Sequence, residues 1–425
     1  MNKRLKVLFY TLIIPVLILS ACGPGKVTMS GLERASNPDV ASSDIEQLVT
    51  GNTAFAFDLY KAVRNLDGNI VYSPYSISLA FAMAYGGAKG DTAAQMEQVL
   101  HYTLPAEGFH AAFNALDLDL AGRPAEASGV DENERFQLNI ANSLWGQDGW
   151  SFLPEYLDLL AVNYGAGMRL VDFENDPEGV RRSINEWVSD QTRSRIKDII
   201  PPGVIDTLTR LVLANAIYFK ATWEYKFEAN NTADRQFYLL NGDRISVPTM
   251  EINHPVTFSY AAGDGWQAVA LPYLGGSTEM VIMVPDNGNF EAFESDLSAE
   301  DYGQILAAME PQAVILSMPK FSFETQVGLR ELLAGMGMQA AFDPVAADFS
   351  GIDGQRDLFI SDAIHKAFIA VDEKGTEAAA ATVVVMSTAS MPEGIVLTID
   401  RPFIYLIRDT PTGTILFMGR VVDPR

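Results

Sequence analysis

Apolar residues at helical spacing mark the first hundred positions of the chain. The first such group has members three or four positions apart, and they are Phe55, Leu59, Ala62 and Val63. This periodicity predicts a helix from about Asp44 to Arg64. Ser73 and Pro74 suit the N-cap and the first turn of a helix. The apolar run behind them therefore predicts a second, buried helix that ends at Tyr85.

Shorter signals lie on either side of this buried helix. The apolar triplet Ile70–Tyr72 predicts a strand before it. Two glycines follow the helix, and glycine suits a helix C-terminus. Thr92 and Gln95 have the spacing of a capping box, which predicts a third helix through Leu100.

Strand-like runs follow from residue 211 onward. The run from Leu211 to Phe219 is apolar except at Asn215, which predicts a strand covered on both faces at the centre of a sheet. The other predicted elements are strands at 281–284, 313–323 and 395–399, a helix at 328–336, and a C-terminal hairpin of 403–408 and 414–422. Helices followed by strands indicate the α+β class. No repeat or later linker divides residues 44–425, so they predict one domain.

Composition and charge argue against several classes of function. The 425 residues include 54 acidic and 30 basic side chains, and the net charge is −24. No basic stripe is present, which argues against nucleic-acid binding. The four histidines lack metal-ligand spacing, and they are His101, His110, His254 and His365. The sequence has no nucleophile elbow, zinc-protease motif or P-loop, so we predict no metal, no cofactor and no enzyme activity.

The N-terminus has the layout of a targeting segment. Three basic residues precede an apolar run from Val7 to Leu19, which is too short to span a bilayer. The run ends in Leu19-Ser20-Ala21-Cys22, which resembles the lipobox of bacterial lipoproteins. Residues 1–21 are therefore predicted to be a lipoprotein signal peptide, with Cys22 as the lipidation site. The alternative is an ordinary signal peptide with a chance cysteine.

This layout predicts a protein outside the cytoplasm, lipid-anchored to a bacterial membrane or cell surface. Cys22 is the only cysteine, so an internal disulfide is excluded and anchoring is its best available use. Residues 22–43 contain Gly, Pro, Ser and Asn without apolar periodicity. They predict a flexible tether before the domain at 44–425.

The most informative stretch of the chain runs from Val371 to Met391. It begins with turn-capable residues, continues through four alanines at 378–381, and becomes β-branched from Thr382 to Val385. Small residues can slide between crowded neighbours, and β-branched residues suit a buried, pleated environment. The combination predicts an exposed loop that is able to become a strand.

Four segments of the chain resemble the serpin family, and together they cover nearly all of residues 45–424. They are NIVYSPYSISLAFAMAYGGAKGDT from Asn69, LVLANAIYFKATWEYKF from Leu211, AIHKAFIAVDEKGTEAAAAT from Ala363 and RPFIYLIRDTPTGTILFMGRVVDP from Arg401. Their order and spacing are those of the family. The resemblance implies a fold of three β-sheets with about nine helices and an exposed reactive loop. It also implies a monomeric suicide-substrate inhibitor of serine proteases.

The resemblance also implies roles for individual residues. The proximal hinge of the reactive loop is Glu373, Lys374, Gly375, Thr376, Glu377, Ala378, Ala379, Ala380 and Ala381. The polar cluster under the central sheet, called the shutter, is Ser73, Ser76, Asn215 and His365. Trp223 is the tryptophan of the breach, the end of the sheet where the loop first enters.

Alternation along an inserted strand predicts which loop residues face the core. They are Thr376, Ala378, Ala380, Thr382, Val384 and Met386. None of them is charged and none is proline. Because non-inhibitory members often break this pattern, the hinge favours an inhibitor. The alternative function is a non-inhibitory surface lipoprotein that binds a partner on a serpin fold.

The loop length predicts the scissile bond. The span that inhibitory members keep, counted from Glu373, places cleavage between Ala389 and Ser390. The bonds Met386–Ser387 and Met391–Pro392 are the alternatives. A small residue before the bond fits elastase-like or subtilisin-like proteases. Neither Arg nor Lys occurs between Gly375 and Asp400, which disfavours trypsin-like targets.

Overall fold

The computed structural model describes residues 26–126, 136–376 and 394–425. Within these ranges the α-helices are α1 Ser42–Val63, α2 Pro74–Tyr85, α3 Gly90–Leu100, α4 Ala106–Glu126, α5 Pro154–Tyr164, α6 Pro177–Gln191, α7 Phe290–Asp296, α8 Ala299–Ala308, α9 Leu329–Met336 and α10 Ser350–Asp353. The 3₁₀ helices are Ala229–Asn231 and Ala340–Phe342. The strands are β1 Lys26–Thr28, β2 Ile70–Tyr72, β3 Gln137–Gln147, β4 Met168–Val171, β5 Leu211–Thr222, β6 Ala233–Tyr238, β7 Arg244–Gly263, β8 Trp266–Pro272, β9 Thr278–Pro285, β10 Glu310–Pro319, β11 Phe321–Gly328, β12 Asp362–Asp372, β13 Gly375–Thr376, β14 Ile395–Thr398, β15 Phe403–Asp409 and β16 Ile415–Val421.

The strands of the described ranges form two sheets. The seven-stranded sheet, called the central sheet below, has the order β1-β4-β3-β5-β13-β12-β11. The nine-stranded sheet has the order β14-β10-β7-β8-β9-β15-β16-β2, with β6 paired to β7. The resemblance implied three sheets. Hydrogen bonding yields two because the long strand β7 pairs with β6 at its start, with β10 along its middle and with β8 at its end.

The α+β class is confirmed by this mixture of helices and sheets. Ten α-helices stand in the described part of the chain where about nine were implied, and α10 is a single turn. None of the helices in that part is long and apolar enough to cross a membrane.

Helix α2 lies in the core between the two sheets and begins where the sequence predicted. The Ser73 hydroxyl accepts a hydrogen bond from the Ser76 N–H at 3.2 Å, and Pro74 occupies the first turn. Every residue from Pro74 to Ala84 is buried, because α2 packs against β3 and β5 on one side and β16 on the other. This position brings the start of α2 directly under the central sheet.

Helix α6 covers the other face of the central sheet. Its apolar side packs Ile184 and Val188 into a second core, together with Trp145 on β3 and Val212 on β5. The helix is capped by Asp176, whose carboxylate accepts from the Gly179 N–H at 2.9 Å. Nearly all of β5 is therefore buried on both faces, as its apolar run predicted.

The predicted capping box of α3 is wrong. Helix α3 begins at Gly90, ahead of both residues of the predicted box. The Thr92 hydroxyl accepts from the Asp348 N–H at 2.9 Å, and the Gln95 side-chain oxygen accepts from the Ala340 N–H at 2.8 Å. Both side chains thus satisfy backbone donors of a distant segment, which local spacing does not reveal.

The single strand predicted at 313–323 is two strands in different sheets. β10 ends at Pro319, β11 begins at Phe321, and Lys320 lies between them. Residues typical of strands stand on both sides of Lys320. The only local sign of the break is that the alternating apolar positions shift from 314, 316 and 318 to 321 and 323.

Over the part that the structure describes, the segment predicted as a flexible tether at 22–43 packs on the domain. β1 pairs antiparallel with β4 and extends the edge of the central sheet. The Arg34 guanidinium donates to Asn114 and Asp117 on α4, each at 2.7 Å. Polar tertiary contacts fix this segment, and a search for apolar periodicity does not detect them.

Candidate functional site

The central sheet is closed at one end and parted at the other. β5 and β12 run parallel and pair directly through residues 212–217 and 362–367. Beyond these residues β13 lies between them and is antiparallel to both. Thr376 is opposite Ala221 on β5 and Val371 on β12. The chain therefore turns back after β12 and enters the parted end of the sheet.

Gly375 lies very close to the backbone of β5. A Cβ atom at this position would be 2.0 Å from the carbonyl oxygen of Ala221 and 2.8 Å from the Cα of Thr222. A larger residue does not fit unless the backbone moves. The hinge enters the sheet at this point because the residue is glycine.

Thr376 is buried in the parted end of the sheet. Its side chain is 1% exposed, and its hydroxyl lies 2.7 Å from the hydroxyl of Tyr273. Tyr273 stacks on Trp223, with 4.5 Å between ring centroids and 9° between ring planes. Sequence reasoning missed Tyr273, because nothing near it in the chain relates it to the hinge.

Trp223 also holds the turn before the hinge. Its indole N–H donates to the carbonyl of Asp372 at 3.0 Å. Its backbone N–H donates to the carbonyl of Lys374 at 2.7 Å. The Asp372 carboxylate in turn accepts from the Lys374 N–H at 2.8 Å. The residue assigned to the breach thus contacts both sides of the turn.

Glu373 is fixed in the same turn by hydrogen bonds to its carboxylate. The Lys320 ammonium and the Thr232 hydroxyl each donate to it at 2.8 Å. Burial raises the pKa of Glu373, but these hydrogen bonds and the Lys320 charge outweigh burial and lower the pKa below its ordinary value. At neutral pH Glu373 is therefore ionised and anchors the turn.

At the closed end, His365 joins three elements of the fold. Its Nε2 accepts from the Ser73 N–H at 3.0 Å, and its Nδ1 contacts the Asn215 side-chain oxygen. An imidazole nitrogen that accepts a hydrogen bond carries no proton, so the neutral ring is protonated on Nδ1 and donates to Asn215. The Asn215 amide donates to the carbonyl and hydroxyl of Ser76, at 2.8 and 2.7 Å. All four predicted shutter residues therefore meet in one network.

Asn142 is a fifth member of this network that the sequence did not identify. It lies directly opposite Asn215 in the pairing of β3 with β5. Its amide donates to the Ser76 carbonyl at 3.2 Å, and its side-chain oxygen accepts from Asn215. β3 also contains Asn139, and only the strand register shows which asparagine lies over α2.

Complete burial lowers the pKa of His365 to about 3. The ring is therefore uncharged at neutral pH. Protonation of Nε2 would remove the acceptor that binds the Ser73 N–H.

The rest of the predicted site lies outside the described residues. These positions are the hinge residues Glu377, Ala378, Ala379, Ala380 and Ala381, the scissile pair Ala389 and Ser390, and the lipidation site Cys22. In the described ranges, no group of three or more His, Cys, Asp or Glu side chains is placed to hold a metal ion.

Comparisons with known proteins agree on one family. The profile described as Serpin (serine protease inhibitor) matches residues 50–424. An uncharacterized serpin-like protein of Thermococcus kodakarensis is 42% identical over 89% of this chain and 86% of its own. The leukocyte elastase inhibitor of Homo sapiens is 37% identical over 89% of this chain and 100% of its own. The native-state crystal structure of Tengpin, a thermophilic serpin, matches with a TM-score of 0.81 and 27% identity, over 94% of this chain and 99% of the other.

Proposed function

Because this chain belongs to the serpin family, we propose that it is a suicide-substrate inhibitor of serine proteases. A protease cleaves the exposed loop and becomes acylated, and the cleaved loop then inserts into the central sheet before the ester is hydrolysed. The observation that carries this proposal is the position of Gly375–Thr376, which already pairs with both β5 and β12. The serpin supplies no catalytic residue of its own.

The register of β13 supports a defined path for the inserting loop. If both pairings continue without a shift, Thr382 comes to lie opposite Asn215 on β5 and opposite His365 on β12. Asn215 and His365 are now opposite each other in the closed end of the sheet. Insertion therefore has to separate these two residues and break the direct pairing of β5 with β12.

The burial of Thr376 sets the alternation of the proposed strand. Its side chain points into the core, towards Tyr273. The later residues of the same face are Ala378, Ala380, Thr382, Val384 and Met386. All are uncharged, so none places an unpaired charge in the core during insertion.

The energy of insertion makes the loop-exposed form a kinetic trap. About a dozen inserted residues would add ladder hydrogen bonds worth roughly 1 kcal/mol net each. The total, on the order of 10 kcal/mol, is comparable with the stability of an ordinary domain.

Insertion then pulls on the acylated protease and distorts its active site. Loss of a single oxyanion-hole donor slows hydrolysis by about 10²–10³, so the trapped ester persists.

The target class follows from the residue before the scissile bond. Ala389 fits the small apolar pockets of elastase-like and subtilisin-like proteases. The similarity to proteins named leukocyte elastase inhibitor supports the first of these classes.

We place the inhibitor, as a monomer, outside the cytoplasm, anchored to a bacterial membrane or cell surface through lipid on Cys22.

The experiment that tests this function compares the wild-type protein with Thr376→Arg. Each protein is incubated with pancreatic elastase or subtilisin and examined by denaturing gel electrophoresis, with mass spectrometry of the released C-terminal peptide. Wild type is expected to form a covalent complex. Thr376→Arg is expected to be cleaved without forming one, because a buried position cannot accept a guanidinium.

The matched control is Val345→Arg, since Val345 is 90% exposed and distant in sequence from the loop. This control is expected to inhibit as wild type does. If neither wild type nor control forms a complex with either protease, the result favours the alternative function, a non-inhibitory binding protein with a serpin fold.

A further inference from the structure

Three large apolar side chains are exposed together in the N-terminal segment. Val27 is 41% exposed, Met29 is 49% exposed and Leu32 is 52% exposed. The other exposed large apolar residues of the described ranges are separate from one another in sequence, and they are Leu66, Leu208, Tyr225, Leu240, Val345 and Val396. Single exposed apolar residues are ordinary, whereas a cluster indicates a contact surface.

Two cationic side chains border this cluster. Lys26 is exposed, and Val27 lies directly opposite Arg169 on β4, so the side chains of Val27 and Arg169 share one face of the sheet. The Arg169 guanidinium lies 4.7 Å from the ring centroid of Trp187 and 5.3 Å from that of Trp145. Both tryptophans are buried in the second core and hold the guanidinium in place. Exposed apolar side chains beside cations are typical of surfaces that meet lipid headgroups.

Nearby carboxylates reduce the electrostatic attraction between this cluster and anionic lipid. Glu33 is exposed next to Leu32, and Asp158 accepts a hydrogen bond from Ser30. The whole chain carries a net charge of −24. Attraction to anionic lipid therefore does not drive the contact, and burial of the apolar side chains has to supply it.

The preceding sequence limits how far this cluster is from the membrane. Only residues 23–25 separate Lys26 from Cys22. The chain from Cys22 to Lys26 spans at most about 14 Å when extended, and the headgroup layer is about 6 Å thick. An acyl anchor on Cys22 therefore holds β1 within about 8 Å of the membrane surface.

We propose that Val27, Met29 and Leu32 form a membrane-contact surface that enters the headgroup region of the bilayer. This inference rests on the lipid anchor of the proposed function. Because β1 is hydrogen-bonded to β4, the contact also fixes the body of the protein relative to the membrane. The bilayer then meets the β1 edge of the central sheet.

The test uses the full-length, lipidated chain with a single added cysteine at Met29→Cys or Leu32→Cys. Acylation consumes the Cys22 thiol, so an environment-sensitive fluorophore labels only the added cysteine. The proteins are reconstituted in phosphatidylcholine vesicles with or without brominated acyl chains. We expect bromolipid to quench the label at 29 and 32 by about half. Val345→Cys is the control and is expected to show no quenching.

A charged variant provides a second readout. The label is placed at Val27→Cys, and the pair Met29→Glu and Leu32→Glu is expected to abolish its quenching. The same two charges at Val345 and Val396 serve as the matched control and are expected to leave the quenching in place.

Three results would overturn the membrane-contact surface. The first is quenching at 29 and 32 no greater than at 345 while mass spectrometry shows an acylated Cys22. The second is a fluorescence shift that depends on protein concentration and not on bromolipid, which indicates a second copy of the chain. The third is an unmodified Cys22, which removes the anchor. Protease inhibition is measured on the same samples, so a failure of the inhibitor function is recognised separately.

Discussion

At the residue scale, His365 is the group whose protonation state bears most directly on the closed sheet. Its ring accepts from α2 through the Ser73 N–H and contacts β5 through Asn215. Both bonds require the neutral ring with its proton on Nδ1. The shutter therefore holds only as long as His365 stays uncharged.

This requirement predicts an acid-dependent loss of stability. Burial lowers the pKa of His365 to about 3 and that of His110 to about 4, whereas an unfolded histidine titrates near 6.5. Their stabilising contribution is complete above pH 6.5 and falls as pH drops from there towards the folded pKa, because only the unfolded chain takes up the protons. Each histidine contributes a slope of about 1.4 kcal/mol per pH unit.

The measurement is the thermal midpoint between pH 6.5 and 5, at one scan rate. His365→Gln and His110→Gln are each expected to flatten the decline by about 1.5 °C per pH unit. His254→Gln, at an exposed position, is the substitution control. A wild-type slope retained in His365→Gln would show that this ring is not neutral in the fold.

The scissile bond is a second question at the residue scale. Arginine is placed separately at Met386, Ala389 and Met391, and each variant is incubated with trypsin. Trypsin cleaves after arginine, so Ala389→Arg is expected to form a stable complex and to raise the rate of trypsin inhibition by at least about 100-fold, the discrimination that a specificity pocket provides. A complex with Met386→Arg instead would move the bond to that position. The Met391→Arg variant also carries Pro392→Ser, because trypsin does not cleave before proline, and a complex with it would move the bond to position 391.

At the scale of elements, the N-terminal segment shows how polar contacts can build a strand into a sheet. β1 contains three residues, too few for independent stability, but it pairs with the edge of β4. Arg34 then binds Asn114 and Asp117 on α4. The segment thus covers an edge that would otherwise expose unpaired backbone groups.

We predict that Arg34→Ala releases this segment. Loss of charged hydrogen bonds at a partly buried site costs about 2 kcal/mol, which corresponds to roughly 30-fold faster opening. Hydrogen exchange of a peptide covering residues 26–35 measures the change. Arg182→Ala, which removes an exposed pair with Glu178, is the control and is expected to have little effect. Unchanged exchange in Arg34→Ala would mean that β1 pairing alone holds the segment.

At the scale of the whole molecule, the central sheet has one arrangement in the described structure and another in the proposed inserted state. In the part of the chain that the structure describes, β5 and β12 pair directly at one end and hold Gly375 and Thr376 between them at the other. The proposed inserted state has a complete strand between them. In the proposed mechanism, cleavage in the loop frees the loop residues to insert.

The nicked protein is therefore predicted to melt well above the intact one. A stabilisation on the order of 10 kcal/mol raises the thermal midpoint by about 10 °C, since a chain of this length has an unfolding entropy near 0.9 kcal/mol/K. Calorimetry before and after limited proteolysis in the loop measures the difference. Thr376→Arg is the control, because its loop is cleaved but its hinge cannot insert. Equal midpoints for intact and nicked wild type would rule out the proposed conformational trap.

Much of the fold was predictable from local patterns. The start of α2 at Ser73 and Pro74 and the buried strand containing Asn215 are confirmed, since capping and apolar runs act over a few residues. The break at Lys320, the partners of Thr92 and the docking of Arg34 were not predicted. The last two depend on contacts between residues far apart in the chain, whereas the break at Lys320 shows in the sequence only as a change of phase in the apolar alternation.

By itself, the sequence determined the fold class and the family, because specific residue types recur at a specific spacing along the chain, and the resemblance predicted the shutter and breach residues. Only the tertiary structure decided how they act together. It placed Asn142 beside Asn215, set Tyr273 under Thr376, and brought Lys320 to Glu373. The physical reason is that strand register and the crossing of distant segments select hydrogen-bond partners, and a linear sequence does not specify either one locally.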